Sequence, residues 1–470
     1  MTVEKLLACA VMATFLAGCG EDAGSGTPEE ADAGVPEASD SGQEAGVNDA
    51  GDGASPEGAV QDAGTEEPKG DGAVADSAGG EYLPGDELEA WEGGPSYYGK
   101  WPKGPTTDPA VFPIAVWLQQ PKNLEAFRGV GINLFIGLWE GPTEEQLSAL
   151  AAGDMPVFCD QNAVGLGSTN GGVIRSWAHQ DEPDNAQDGT QDPVPTGEIV
   201  AGYQAMVAQD STRPVYLNLG QGVATDLWFG RGNRTGHPED YAEYAKGADI
   251  VSFDVYPMNV FPYTGDPNAT WFKDYYDAVA QNIWYVAEGV KRLREWTGKQ
   301  KPVWTWLETT NIEGNGQYAL TPAHVKAEVW MALVHGARGI GYFSHQFAPF
   351  SETGLLDDAE MAAGVKAINA QVAELAPVLN TQTVSNGVTT TTSEASAPVA
   401  AMVKRAGGET YVFAVGMRPE NTTATFTLRG FAGQATVEVM GESRTALAQD
   451  GVFEDGFAGH AVHLYKVATP

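Results

Sequence analysis

Two short carboxylate motifs in this chain have the residue types and the setting for bond-breaking chemistry. Glu182 lies near the end of SWAHQDEPD, residues 176–184, and Glu308 lies near the end of PVWTWLETT, residues 302–310. Each glutamate follows a β-branched or aromatic run that is typical of a β-strand. Two carboxyl groups at the carboxyl ends of parallel strands can protonate a leaving oxygen and attack an anomeric carbon, which is the chemistry of glycoside hydrolysis.

The elements that must position these motifs repeat from Phe112 onward. Near-continuous apolar runs, typical of strands covered by helices, alternate with helix-like segments. Eight successive units predict an α/β fold, a closed (β/α)8 TIM barrel, which we assign to residues 93–380. One long helix is expected over 271–296. The predicted strands are 112–119, 132–139, 155–161, 173–182, 214–220, 249–256, 302–308 and 339–345.

The sequence changes character after Pro377. Glycine-containing turns separate segments that alternate apolar and polar residues, which predicts a small all-β sandwich over residues 381–470. None of the 12 tryptophans lies there. Because glycan-binding modules stack sugars on exposed aromatics, a supporting role is favoured over glycan binding. The predicted strands are 384–393, 399–404, 410–415, 422–428, 435–440 and 461–467.

The N-terminus predicts export. Residues 1–19 combine Lys5, an apolar stretch too short to span a bilayer, and the sequence LAGC ending at Cys19. This resembles the signal of bacterial lipoproteins, which implies lipid attachment at Cys19. An ordinary secretory signal with an incidental cysteine is the alternative. Gly20 supplies no acidic retention signal, so an outer-membrane or cell-surface position is expected, and secretion otherwise.

Residues 20–92 predict a disordered acidic linker. They contain 21 acidic residues against the single Lys69, whereas the whole chain carries a net charge of −37. A segment so poor in apolar side chains cannot offset its ordering entropy. About half of the acidity is therefore linker and not active-site chemistry. Calcium binding by the linker is an alternative without a fixed ligand spacing, and the acidic balance disfavours nucleic-acid binding.

Cysteine and histidine give no pattern for a metal or cofactor. Cys159 is the one cysteine of the predicted folded part, and it is interpreted as packing rather than as a nucleophile. His179, Asp181 and Glu182 alternate between two faces of a strand, which disfavours a shared metal. We expect neither a metal nor a cofactor, and a monomer.

Three strand-end motifs together resemble those of the clan A glycoside hydrolases, a superfamily of retaining barrel enzymes. The motifs are DEP at 181–183, FDVYP at 253–257 and WLE at 306–308, and the resemblance covers roughly residues 110 to 380. It implies that Glu182 on strand four is the general acid/base and that Glu308 on strand seven is the nucleophile. Tyr256 would donate a hydrogen bond to Glu308. Taken singly, each motif could instead cap a helix or shape a turn.

One position departs from this resemblance. The family carries Asn before its acid/base, in contact with the sugar 2-hydroxyl, and this chain carries Asp181. An ionised Asp can accept from that hydroxyl but cannot donate.

Other strand ends supply secondary pocket candidates. Asn218 and His345 are polar candidates, and Trp117 and Trp139 could stack on a pyranose face, with core packing as the alternative. Trp304 is interpreted as barrel packing, and Trp306 as barrel packing or as the floor of the pocket.

The residues predict a retaining hydrolase of β-linked oligo- or polysaccharides that works through a glycosyl-enzyme intermediate. Two adjacent carboxyls push their pKa values apart, and we expect the higher pKa on Glu182. A transglycosylase using the same site is one alternative. A surface lipoprotein that binds glycan without cleaving it is another. The sugar and the choice between endo- and exo-cleavage stay open.

Overall fold

The computed structural model describes residues 80–89, 93–186, 190–262, 265, 269–314 and 319–470. The predicted signal, Cys19 and linker residues 20–79 lie outside these ranges. Within them, no helix combines the length and the apolar character needed to cross a bilayer.

Eight parallel strands, β1 to β8, close into a barrel in sequence order, which confirms the predicted TIM barrel. β1 pairs with both β2 and β8, so the sheet has no free edge. All eight predicted strands are present, each shorter than or as long as its apolar run. They are Ile114–Trp117, Leu134–Ile136, Val157–Asp160, Ile174–Ala178, Val215–Leu219, Ile250–Asp254, Val303–Glu308 and Ile340–Phe343.

Helices cover the outside of the barrel. The predicted single helix over 271–296 is wrong, since two helices, α6 and α7, replace it. Gln281 lies between them with φ +63°, a left-handed conformation that ends the first helix. The α-helices α1 to α11 are Leu124–Gly129, Glu144–Ala152, Ala163–Gly167, Thr196–Gln209, Asp240–Tyr244, Thr270–Val279, Tyr285–Trp296, Pro322–Val334, Gly354–Asp357, Ala359–Glu374 and Ala376–Leu379.

Aromatic side chains fill the barrel interior. Trp304 and Trp306 are 2% and 3% exposed, as expected for packing residues. Glycines on β8 and just before it make room for them: a Cβ at Gly339 would lie 2.3 Å from Trp304, and one at Gly341 would lie 2.4 Å from Trp306. The filled interior gives the functional rim a rigid floor.

The C-terminal residues form one antiparallel sheet of eight strands, β11 to β18, and not the six predicted. Phe426, Phe453 and Tyr465, from three different strands, pack their rings together inside it. The strand order is β11-β14-β17-β16-β15-β18-β13-β12. The strands are Val388–Thr392, Val399–Ala406, Glu409–Gly416, Thr422–Leu428, Gln434–Val439, Arg444–Gln449, Val452–Phe457 and Val462–Ala468, and a two-stranded ribbon of β9, Gln346–Phe347, and β10, Phe350–Ser351, precedes them.

The C-terminal sheet packs directly on the barrel helices. Trp330 of α8 lies with its ring 5.1 Å from that of Phe413 on β13. Arg418 places its guanidinium 4.1 Å from the ring centre of Trp284. These contacts fit a supporting role for the C-terminal sheet.

Residues 80–89, which fall within the predicted linker, pack on the C-terminal sheet. Gly80 and Leu88 form β-bridges with Ala406 and Val384. The Asp86 side chain, 1% exposed, lies 2.8 Å from the guanidinium of the fully buried Arg405. A buried ion pair of this kind compensates local charge that water cannot reach.

Replacing Asp86 with Ala is therefore expected to destabilise the fold by about 3 kcal/mol, since the buried Arg405 charge loses its acidic partner. Thermal and urea unfolding measure this loss. The matched control is Glu87→Ala, because Glu87 is the next residue and is exposed. Equal unfolding midpoints for the two variants would show that residues 80–89 contribute nothing to the folded unit.

Candidate active site

Four carboxyl groups gather at the carboxyl-terminal rim of the barrel. Asp181, Glu182 and Asp184 follow β4, and Asp254 ends β6. The ends of parallel strands meet at one rim, which is where this fold builds its functional sites. Asp181 and Glu182 keep part of their surface exposed, whereas Asp184 and Asp254 are buried.

Glu182 is held by a strained turn. Its φ is +42°, a conformation that is costly for a residue with a Cβ and that recurs at functional sites. Its N–H donates to the carbonyl of Asn218 at 3.2 Å, and its carbonyl accepts from the N–H of Asn185 at 3.1 Å. The Asn185 side-chain amide donates to Glu182 Oε2 at 3.1 Å. The turn thereby aims one carboxyl oxygen.

The carboxyls of Glu182 and Asp254 are hydrogen-bonded to each other. Such a bond requires one shared proton. Burial, followed by the charge of Asp254, raises the pKa of Glu182 well above its usual range. Burial raises the pKa of Asp254 to about 7. Between these two carboxyls, the interaction favours the protonated form of Glu182 and the ionised form of Asp254.

A one-way chain of hydrogen bonds runs from the barrel interior to the rim. The indole of Trp306 donates to Tyr216 Oη at 2.8 Å, and Tyr216 Oη lies 2.5 Å from Ser252 Oγ. Ser252 donates to Asn218 Oδ1 at 2.6 Å. Because Ser252 has a single hydrogen and donates it to Asn218, the Tyr216 hydroxyl donates to Ser252, and the oxygen of the Asn218 amide faces Ser252.

The amide nitrogen of Asn218 consequently faces two acids. It donates to Asp181 Oδ1 at 3.0 Å and to Asp254 Oδ1 at 3.5 Å. Burial, followed by the charge of Glu182, raises the pKa of Asp181 well above its usual range. A neutral Asp181 has an O–H donor as well as acceptor oxygens.

Glu308 lies in a more enclosed setting, with none of its surface exposed. The N–H of Met258 donates to Oε1 at 2.8 Å, and the Asn259 side-chain amide donates to Oε2 at 2.6 Å. The hydrogen bond expected from Tyr256 is absent among the described residues. The Tyr256 ring instead packs 5.4 Å from that of Phe343, because the loop after β6 brings its own donors to Glu308.

A second carboxyl faces Glu308 from helix α8. Glu328 is fully buried, and within the described ranges neither of its oxygens has an N–H or hydroxyl donor. It interacts electrostatically with the Glu308 carboxyl, and two interacting buried carboxyls favour a state in which at least one of them is protonated. Burial raises the pKa of Glu308 to about 7. Burial and the Glu308 charge raise the pKa of Glu328 well above its usual range.

Tyr256 connects the two carboxyl pairs. Burial raises the pKa of its hydroxyl, and so do the charges of Asp254, Glu182, Asp181 and Glu308. The structure therefore brings the predicted acid, the predicted nucleophile and Asp181 around one phenol.

The secondary candidates occupy different settings. His345 is 2% exposed, its ring lies 5.4 Å from that of Phe343, and burial lowers its pKa to about 4, so it is neutral at pH 7. Trp117 is half-buried, with its ring 5.2 Å from that of Trp306. Trp139 is also half-buried, and its main-chain carbonyl accepts from Gln146 at 2.7 Å.

Four residues of this site escaped the sequence analysis. Asp254 carried a signal, since it lies in the FDVYP sequence at 253–257, near the end of a predicted strand. Glu328 carried a weaker one, an acid within the apolar helix sequence VKAEVWMALV. Asn185 and Asn259 lie in loops whose paths only the folded chain defines.

Metal or thiol chemistry would use the possible metal ligands of the described ranges and their one cysteine, Cys159. The described residues contain no group of three or more His, Cys, Asp or Glu side chains placed to hold a metal ion. Cys159 is fully buried, and burial raises the pKa of its thiol, which suppresses the nucleophilic thiolate.

Comparisons with known proteins give distant similarities only. No protein-family model and no curated protein matches the chain. Among solved structures, an α-amylase from Lactobacillus plantarum is similar with TM-score 0.43 and 12% identity, over 76% of this chain and 99% of that one. A GH30 endoxylanase from Clostridium papyrosolvens C71 gives TM-score 0.42 and 12% identity, over 76% and 96%. An Anoxybacillus α-amylase gives 0.40 and 12%, over 77% and 99%. Likeness at this level identifies neither a family nor an activity for this chain.

Proposed function

We propose that this chain is a retaining glycoside hydrolase that cleaves a β-linked oligo- or polysaccharide. Glu182 acts as the general acid/base, and Glu308 acts as the nucleophile. The observation that carries the proposal is the unequal treatment of two rim carboxyls. The charge of Asp254 favours the protonated form of Glu182, whereas two N–H donors favour the ionised form of Glu308 against the effect of its burial.

This division matches what the reaction requires. A glycosidic oxygen leaves only if it is protonated, and the anomeric carbon is attacked only by an ionised carboxylate. The reaction therefore requires the protonated form of Glu182 and the ionised form of Glu308, whose pKa burial raises to about 7. The motif resemblance at 181–183, 253–257 and 306–308 supports the same assignment.

Asp181 extends the proposal to substrate recognition. Its pKa is raised, so the neutral acid can donate to a sugar hydroxyl while Oδ1 accepts from Asn218. A neutral Asp thus reproduces the donor and acceptor pair of an Asn amide. The departure from the family pattern is then a replacement that keeps the hydrogen-bonding capacity.

Digestion of a panel of β-linked glucans, galactans, mannans and xylans, with product sizing, tests the proposal. We expect new reducing ends from at least one polymer, and products of a single anomeric configuration at early times. Added sugar acceptors separate hydrolysis from glycosyl transfer. Intact polymers from the whole panel would contradict the proposal.

One observation favours a second candidate, glycan binding without cleavage. Glu308 is fully buried and interacts with the Glu328 carboxyl, so a substrate reaches it only if the rim loops move. Measurable binding of a panel polymer that stays intact after long incubation would favour this function.

We also propose that the protein is exported and anchored by lipid at Cys19, on the strength of the LAGC sequence. Metabolic labelling with a fatty acid, followed by membrane fractionation, tests this. Cys19→Ser is expected to lose both the label and the membrane association. A wild-type protein without the fatty-acid label would contradict lipid attachment and would favour an ordinary secretory signal.

A further inference from the structure

The loop after β5 reaches the candidate acid through two side chains. The indole N–H of Trp228 donates to Asn185 Oδ1 at 2.8 Å. The amide nitrogen of Asn185 donates to Glu182 Oε2 at 3.1 Å. Because an indole nitrogen can only donate, Asn185 must turn its oxygen to Trp228 and its nitrogen to Glu182. The Trp228 indole thereby determines that the nitrogen of the Asn185 amide, and not its oxygen, faces Glu182.

The surrounding backbone is shaped to hold this arrangement. A Cβ at Gly220 would lie 2.8 Å from Asn185 Nδ2, and one at Gly230 would lie 2.5 Å from the Trp228 indole, so both glycines make room for the two side chains. The N–H of Ala186 donates to the carbonyl of Gly230 at 2.8 Å, which joins the loop after β4 to the loop after β5. Asn185 is only 9% exposed, so bulk water hardly competes for its amide.

We propose that Asn185 and Trp228 are positioning residues for Glu182, with the Trp228 indole fixing the Asn185 amide so that it aims the carboxyl and sets its proton affinity. This inference rests on the proposed function for its meaning in catalysis. Neither residue touches the reacting atoms in this account, since both act through Glu182.

The Asn185 amide and the acidic groups that face Glu182 have opposite effects on the pKa of Glu182. An N–H donor favours the ionised carboxylate, whereas nearby acids favour the protonated form. Together, the amide donor and the nearby acids let Glu182 hold a proton and transfer it to a leaving group. The titratable and charged groups around Glu182 are Asp254 from β6, Tyr256 beyond it, Asp181 and Asp184 in its own loop, and Arg231, which donates to the Asp184 carbonyl from the loop after β5.

The test is a titration of Glu182 in full-length protein with ¹³C-labelled glutamate, with the resonance assigned by its loss in Glu182→Gln. In Asn185→Asp a carboxylate replaces the N–H donor, and we expect the pKa of Glu182 to rise by about one pH unit. In Trp228→Phe the amide is free to turn, and we expect a smaller rise. Asp254→Asn removes a facing negative charge and is expected to lower the pKa.

Trp271→Phe is the matched control. Its ring belongs to the same aromatic cluster, 4.7 Å from Phe229, but its indole is 44% exposed and is not the donor to Asn185. We expect it to titrate like the wild type. On a cleaved glycan, the basic limb of the kcat/KM profile is expected to move with the titration in Asn185→Asp and Trp228→Phe.

Unchanged titration of Glu182 in the folded variants would overturn the inference, even if their activity falls. Thermal unfolding shows which variants fold. If Asn185→Asp does not fold, the titration of Glu182 in Trp228→Phe tests the inference. The titration needs no substrate. A wild-type protein that cleaves nothing would therefore defeat the proposed function without deciding the role of Asn185 and Trp228.

Discussion

Replacing Glu182 with Gln is expected to lower kcat/KM by about 10²–10⁴-fold and to make the fold more stable at neutral pH. The loss of activity follows because an amide cannot give a proton to the leaving oxygen. The gain in stability follows because the folded state must keep a proton on a carboxyl that the unfolded chain releases near its usual pKa. Thermal unfolding at pH 7 is expected to show a rise of about 2–4 °C.

The sign of this stability effect depends on pH. A pKa raised on folding stabilises the native state fully below the unfolded pKa, and this contribution is lost as the pH rises. The advantage of Glu182→Gln should therefore vanish near pH 4 and grow towards pH 7. Glu140→Gln is the matched control, since Glu140 also has a positive φ, of +50°, but is exposed. A Glu182→Gln variant that retains activity would remove Glu182 from the mechanism.

Replacing Glu308 with Gln is expected to abolish turnover and to flatten the dependence of stability on pH. The pKa of Glu308 rises from its usual 4.5 to about 7 on folding. The folded protein therefore binds more protons than the unfolded chain between these values, and stability falls as the pH rises through about 7. The share of Glu308 in this fall is about 3 kcal/mol. Urea unfolding from pH 4 to pH 8 measures it.

Glu328→Gln separates the two roles of the buried pair. Its amide can donate to Glu308 as the protonated acid does, so we expect much of the activity to remain while the pH dependence of stability weakens. Glu145→Gln, an exposed change on α2, should alter neither property. Steep pH dependence in both Glu308→Gln and Glu328→Gln would show that this pair does not share a proton.

The barrel could be predicted from the sequence because parallel strands that are buried on both faces appear as continuous apolar runs. Each of the eight strands is an apolar run between polar loops, and counting them was enough to pair Glu182 with Glu308 on one rim. The same reasoning failed where local conformation decides. Nothing in the apolar pattern of 271–296 marked the left-handed Gln281 that divides it.

The C-terminal sheet shows a signal that was overlooked. Strands β16 and β17 were missed, although Asp450 and Gly451 stand between them and both have positive φ, of 50° and 80°. An Asp-Gly pair between alternating segments is a strong hairpin signal. The sequences of the two strands, RTALAQ and VFEDGF, do not alternate regularly between apolar and polar residues, so their hydrophobic pattern is weak.

The site itself was predictable only in its outline. Strand ends identified Glu182, Glu308, Asp181 and Asn218 as neighbours of one rim. The residues that contact each carboxyl group are determined by the conformation of the loops and by which face of a helix packs against the barrel. The pairing of Asp254 with Glu182 and of Glu328 with Glu308 therefore emerges only from the folded chain.

The central claim is that Glu182 and Glu308 act together on a glycosidic bond, and covalent trapping tests it most directly. The protein is incubated with fluorinated β-glycosides of several sugars, whose glycosyl-enzyme intermediates turn over slowly, and is then digested for peptide mass spectrometry. The account predicts one added sugar, on the peptide that contains Glu308, and no label in Glu308→Gln. A label on Asp254 or Asp181, or unlabelled protein that still cleaves its glycan, would contradict it.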